Sequence, residues 1–251
     1  MILIVSDVHG AVAALRRTAA RGATLFVLGD LINFVDYRTN DGLVADVSGR
    51  DFVAEMVQLR TAGAFDEAGR LWRRHSAGRE DELRRRYDEL VETAYEQVCS
   101  ALAGCDAYVT YGNVDRPSVL RRYLPPEARF VDGEVVTIAR ERFGFVGGGT
   151  VSLGTPGEVD EADMAAKLEL LGDVDVLCTH VPPAMAPLAS DVIGGRQKGS
   201  TAVLEYVERH QPRLHYFGDI HQPQATTWRI GATVCHNAGY FRATGRAVRH
   251  G

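Results

Sequence analysis

The sequence lacks several things, and each absence excludes a class of protein. No stretch approaches the roughly 18–20 uninterrupted apolar residues of a membrane helix, so no membrane partner is expected. Only four cysteines occur in 251 residues, scattered and without a CxxC, which excludes a zinc ribbon or disulfide framework and reads as reduced core thiols. There is no basic excess. Twenty-eight Lys+Arg face 33 Asp+Glu for a net charge of −5, so nothing draws long nucleic acid from a distance, and only a local basic groove would bind it. The N-terminus, Met1-Ile2-Leu3-Ile4-Val5-Ser6-Asp7, has no basic region and no cleavage site, and reads as a buried strand of a cytoplasmic protein. Repeats and low-complexity tracts are missing too. With 45% hydrophobic and 24% charged residues, wholesale disorder and fibrous structure are excluded. A P-loop is also absent, because Gly147-Gly148-Gly149-Thr150 has no Gly-Lys-Ser/Thr ending and reads as a strand-to-loop turn.

What is present is a series of short apolar runs rich in β-branched and aromatic residues. They predict strands over 2–6, 24–28, 107–111, 143–147, 174–178, 214–217 and 232–235. Helical patterns fall at 11–20, 161–171 and 201–209, and strand–helix alternation argues for an α/β fold with a partly parallel sheet. Residues 50–104 break the rhythm. They carry no strand signal, only Leu, Val, Trp and Tyr at helical spacing among charges, and predict two or three helices inserted into one domain spanning 1–251. The Arg84–Arg86 run within it reads as a solvated helix face, since acidic residues interleave.

Five predicted strands end in residues that bind metals or phosphate. They run into Asp7-Val8-His9, Gly29-Asp30, Gly112-Asn113-Val114-Asp115, Thr179-His180 and Gly218-Asp219-Ile220-His221. Any one of these is explained by turn chemistry or by a satisfied core histidine. Five in succession at carboxyl ends of strands, where α/β sheets bind ligands, point to one converging site. Carboxylate, imidazole and amide oxygen suit Mn²⁺, Fe or Zn²⁺, and two such ions can clamp a phosphoryl group between them.

The ordered set DxH, GD, GNxD, H and GxH resembles the calcineurin-like metallophosphoesterases, and Asn237-Ala238-Gly239 is similar to that family's closing segment. The resemblance implies a four-layer α/β/β/α sandwich of two mixed sheets. It also implies hydrolysis of phosphate esters by a hydroxide held between two metal ions, manganese favoured and iron, zinc or magnesium as alternatives. By the same resemblance Asp7, His9 and His221 would hold the first metal, Asp30 would bridge, and Asn113 and His180 would hold the second, with Asp30 and Asn113 central to catalysis.

Two positions depart from the family pattern. Asp219 stands where a histidine is usual. It either completes the second site as a hard ligand, favouring Mn²⁺, Mg²⁺ or Fe, or leaves that site weak. Val114 replaces the histidine assigned to helping the leaving group, and valine has no proton to give. The expected activity is therefore a phosphodiesterase acting on a small phosphate ester or short nucleotide. The alternatives are a nuclease and a weak or inactive member serving as a binding module. In the enzyme reading the helical insertion would be a substrate cap or a contact for a homo-oligomer, and in the binding-module reading the interaction surface. Arg116 and His236 are outer candidates, and His215 reads as a packing residue.

Overall fold

The computed structural model describes residues 1–152, 154–192 and 198–251. Strands β1 (Ile2–Val5), β2 (Thr24–Leu28), β3 (Ala107–Thr110) and β4 (Ala128–Phe130) run parallel, and β11 (Val248–Arg249) lies antiparallel against β1. The second sheet has the order β5 (Glu134–Ile138), β6 (Glu141–Val146), β7 (Val176–Thr179), β8 (Leu214–Phe217), β10 (Thr233–Asn237) and β9 (Thr227–Ile230). Its four inner strands are parallel and its two edges antiparallel. Both sheets are mixed, as expected.

The inner strands are apolar on both faces because both faces are covered. In β1 and β2, Leu3, Val5, Leu25 and Val27 point to one core, where α1 (Val12–Ala19), α5 (Glu80–Ser100) and α6 (Pro117–Tyr123) pack. Alternate residues Ile2, Ile4, Phe26 and Leu28 point the other way, onto Phe143, Phe145, Val176 and Cys178 of the second sheet. The far face of that sheet packs on α7 (Glu161–Glu169) and α9 (Thr201–His210). Three apolar layers thus separate helices, sheet, sheet and helices. All four cysteines are buried and free.

The 50–104 segment forms α3 (Arg50–Thr61), α4 (Phe65–Ser76) and the 21-residue α5, preceded by α2 (Leu43–Ser48). Arg84–Arg86 lie exposed on α5. Among the described residues no helix is long and apolar enough to cross a membrane. Sequence periodicity missed β4, β5, β9, β11, α2, α6, α8 (Ala186–Ala189) and α10 (Phe241–Thr244). Apart from the five-residue β5 and six-residue α2 and the seven-residue α6, these span two to four residues, too short for a repeat to register. The end of β7 lies one residue later than expected, at Thr179, and β10 continues to Asn237.

Candidate metal centre

The five loops leave the carboxyl ends of β1, β2, β3, β7 and β8, and the pairing of the two sheets brings those ends together. Backbone hydrogen bonds sew the loops to one another: Asp7 N to Gly29 O at 3.1 Å, His9 N to Asp30 O at 2.8 Å, and Gly218 N to His180 O at 2.9 Å. Four of the residues adopt left-handed backbone, with φ of 56° at Asp7, 40° at His9, 52° at Asp30 and 63° at Asp219. Each such residue costs on the order of 1–3 kcal/mol and persists only where surrounding contacts over-determine it. Two glycines are required for space. A Cβ on Gly112 would collide with Asp30 Oδ1 and come within 2.6 Å of His180 Nε2, and one on Gly218 would overlap Ser6 Oγ and Asp7 Oδ2. This is the physical content of the glycine that precedes Asn113 and Asp219.

Two groups of donors share Asp7: Asp7, His9 and His221 in one, and Asp7, Asp30 and His180 in the other, each with ligand atoms within 4.8 Å of one another. His221 Nε2 lies 3.2 Å from Asp7 Oδ1 and His9 Nε2 lies 3.5 Å from Asp30 Oδ2. His180 Nε2 lies 3.5 Å from Asp30 Oδ1 and 3.4 Å from Asn113 Oδ1. The imidazoles are oriented from behind. His180 Nδ1 donates to Leu28 O at 2.7 Å and His9 Nδ1 to Ile32 O at 3.2 Å, which leaves both Nε2 atoms as lone-pair donors. His9 Nε2 and His221 Nε2 face each other at 3.1 Å, and the buried Asp7 Oδ1 has no hydrogen-bond partner. Lone pairs and carboxylate oxygens converging without protons between them need a cation, so the donor set fits divalent metals.

Without metal, protons take that role. Burial disfavours the charged form of His180, but Asp30, Asp7 and Asp219 override it and raise the imidazole to about 9. His9 is raised the same way against burial, by the nearby carboxylates of Asp7 and Asp30. Burial likewise opposes ionisation of Asp7, yet His221 and His9 hold it well below the usual carboxylate range. Asp115, fully buried behind the site, is raised by burial and then by the charge of Asp30, and receives Leu31 N at 3.0 Å, Gly112 N at 2.9 Å and the Tyr95 hydroxyl at 3.0 Å.

Residues 1–223 match the calcineurin-like phosphoesterase family. The chain belongs to that family. Among curated proteins none matches it. Among solved structures, TT1561 of Thermus thermophilus is similar with a TM-score of 0.57 and 14% identity, covering 98% of this chain and 96% of that one. Phosphopantetheinyl hydrolase of Mycobacterium tuberculosis is similar with a TM-score of 0.50 and 11% identity, over 97% and 92%. A novel archaeal phosphodiesterase reaches a TM-score of 0.39 at 13% identity, over 97% and 86%. The first two likenesses show the shared fold. Members of the calcineurin-like phosphoesterase family are metal-using hydrolases of phosphate esters.

The two departures from the family pattern have structural consequences. Asp219 joins neither donor group among the described residues; its N–H donates to Asp7 Oδ2 at 3.1 Å and its Oδ1 meets Lys198 Nζ at 3.5 Å. Val114 is buried, and its N–H donates to Asp30 Oδ1 at 3.2 Å, so the position orients Asp30 through the backbone whatever its side chain. Of the outer candidates, Arg116 points away to Asp88 at 2.6 Å and stacks on Tyr87, while His236 pairs with Thr227 across the sheet edge at 2.9 Å. His215 is buried in β8, a packing residue as read from sequence. Sequence reasoning missed Tyr240 and Arg242. The Tyr240 ring stacks on His221 with centroids 3.9 Å apart and planes 2° from parallel, and its hydroxyl donates to Asp36 at 3.2 Å. Arg242 donates to His9 O at 2.6 Å and also pairs with Asp36 and Asp41. Both follow the Asn237-Ala238-Gly239 segment, which was the one available signal.

Proposed function

We propose that the protein is a metal-dependent phosphodiesterase of small organic phosphate esters. One observation supports this most: two donor groups that share Asp7, with imidazole lone pairs and an orphaned carboxylate oxygen aimed into one space. Asp7, His9 and His221 would hold one ion and Asp30, Asn113 and His180 the other, with Asp30 set between His9 and His180 to serve both. Asp219 has Oδ1 beside Lys198 and would reach an ion through its other oxygen, as a hard ligand of the second site. When bound, the ions, manganese favoured, supply Lewis acidity and lower the pKa of water.

The chain's own part is to fix geometry and charge. The rear hydrogen bonds from His180 and His9 to backbone carbonyls hold the tautomers that point Nε2 forward. Val114 N–H keeps Asp30 turned inward. No acid stands at position 114 to protonate a leaving alkoxide, so esters with good leaving groups are the expected substrates. Lys198, beside Asp219, offers a cation for a phosphoryl oxygen.

The test is hydrolysis of bis-p-nitrophenyl phosphate and p-nitrophenyl phosphate by metal-stripped protein supplied with Mn²⁺. The diester is expected to turn over faster, and Asp30→Ala to lower the rate by a factor on the order of 10³. Silence on both esters with every added metal would overturn the reading in favour of a binding module. Val114→His is expected to flatten the dependence of rate on leaving-group pKa; an unchanged dependence would remove the missing-acid argument.

A further inference from the structure

A cleft of about 620 Å³ lies among α2, α3, α4 and α5, outside the donor groups. Its volume falls within the range of small-molecule sites. The walls are apolar, built from residues such as Val47, Phe52, Met56, Val57 and Leu83. Polar groups interrupt the walls at Ser48, Ser76, Arg60, Glu80 and Arg84, and Ser48 Oγ is buried without a partner. Among the described residues, eight large hydrophobic side chains are exposed, and three of them, Tyr37, Phe65 and Trp72, line this cleft. Exposure gathered into one concavity marks a binding surface rather than scatter.

The cleft is tied to the metal centre through the segment that follows Asp30. Phe34 on its wall is four residues from Asp30, within about 14 Å by chain length alone. The neighbouring Arg38 lies over the Tyr240 ring, itself stacked on His221, and Asp36 accepts from Tyr240 and Arg242. At the rim, the Tyr37 hydroxyl accepts from Arg60 Nε at 3.1 Å. On the side of the metal centre, Lys198 Nζ lies 3.5 Å from Asp219 Oδ1. Tyr87 packs against Phe34 and under Arg116, which follows the Asn113 loop.

Resting on the phosphoester reading above, we propose that this cleft receives an apolar alkyl or aryl arm of the substrate while its phosphate lies at the metal centre. Lys198 places positive charge beside Asp219 at the phosphate end, Arg60 lies at the rim with Tyr37, and the aromatic and aliphatic walls take up the arm. The substrate class narrows accordingly to amphipathic phosphoesters. The helices between β2 and β3 then set specificity, and the strand-end loops supply the chemistry.

The test uses alkylphosphonates, which the enzyme cannot hydrolyse at the carbon–phosphorus bond. Trp228→Phe leaves Trp72, in the cleft, as the remaining tryptophan of two. With Mg²⁺ present, octylphosphonate is expected to shift Trp72 emission to the blue and to bind far more tightly than ethylphosphonate, by up to about fourfold for each fully buried methylene. Val57→Phe, which fills the cleft, and Met56→Gln, which makes it polar, are each expected to flatten that slope and leave ethylphosphonate affinity unchanged. Affinity independent of chain length, or a slope surviving both variants, would overturn the proposal. So would self-association in sedimentation that Val57→Phe abolishes when no slope exists, since the face would then join copies of the chain. A slope without hydrolysis of the nitrophenyl esters would keep the cleft and discard the esterase reading; hydrolysis without a slope would do the reverse.

Discussion

The strand-end loops and the helices between β2 and β3 are built on opposite principles. The loops are buried yet polar, and nearly every donor and acceptor in them is assigned: His180 to Leu28, His9 to Ile32, Asp115 to three donors. The helices carry their charges outside in exposed pairs such as Arg79 with Glu82, and turn apolar side chains toward an open cleft. In the loops, geometry is fixed at the cost of left-handed backbone at Asp7, His9, Asp30 and Asp219. Across the cleft face of the helices, apolar side chains have no such directional partners. Chemistry on phosphate tolerates little displacement, whereas recognition of an apolar arm needs area rather than angles.

Gly112→Ala breaks this comparison most sharply. The added methyl collides with Asp30 and His180, so the site must open. We expect a loss of about 3 kcal/mol in chemical denaturation together with loss of metal-dependent hydrolysis. The same change at Gly69 in α4, where a Cβ would meet only the far end of Arg73 at 3.3 Å, is expected to leave both unaffected. A similar cost at the two positions would show the loops to be no more constrained than the helices.

Tyr240 sharpens the comparison from the side of orientation. His221 is the more exposed imidazole of the centre, and the parallel Tyr240 ring holds its plane. Tyr240→Ala is expected to weaken metal binding by about 10- to 100-fold in calorimetric titration, while Tyr240→Phe keeps the stacking and most of the affinity. Equal affinities in both variants would remove Tyr240 as a positioning residue.

The smallest effect concerns buried polarity beneath the loops. His215 in β8 lies 2.8 Å from Thr179 Oγ1, its Nδ1 has no partner, and burial lowers its pKa from 6.5 to about 3. Between those values the unfolded chain takes up a proton that the folded chain refuses, so stability falls as pH drops below 6.5. At about pH 5.5 this costs about 1–2 kcal/mol relative to neutral pH. His215→Phe should shallow that acid limb in pH-dependent melting, whereas Glu82→Gln on the exposed face of α5 should not move it. An unchanged limb in His215→Phe would assign the loss to other groups.

The order of β1, α1, β2 and the strands that follow was legible because each inner strand is an uninterrupted apolar run covered on both faces. The motif residues were legible for a related reason: a strand has a definite carboxyl end, so chemistry-bearing residues just beyond it must gather wherever the sheets align. Glycine before Asn113 and Asp219 carried information as well, since no side chain fits there. Of the four helices between β2 and β3, α3, α4 and α5 could be read from charge and periodicity, but α2 and the cleft among them could not.

By itself the sequence determined local identities: where the inner strands run, which residues follow them, and which donors are available for a metal. Only the tertiary structure decided which donors meet. It set His221 against His9, 212 positions earlier in the chain, stacked Tyr240 on that same His221, and turned Asp219 toward Lys198. Such contacts depend on the packing of two sheets and on loop crossings, and a one-dimensional pattern does not encode distances between residues so far apart. The apolar cleft belongs to the same class, because a concavity is a property of several helices at once and of none of their sequences singly.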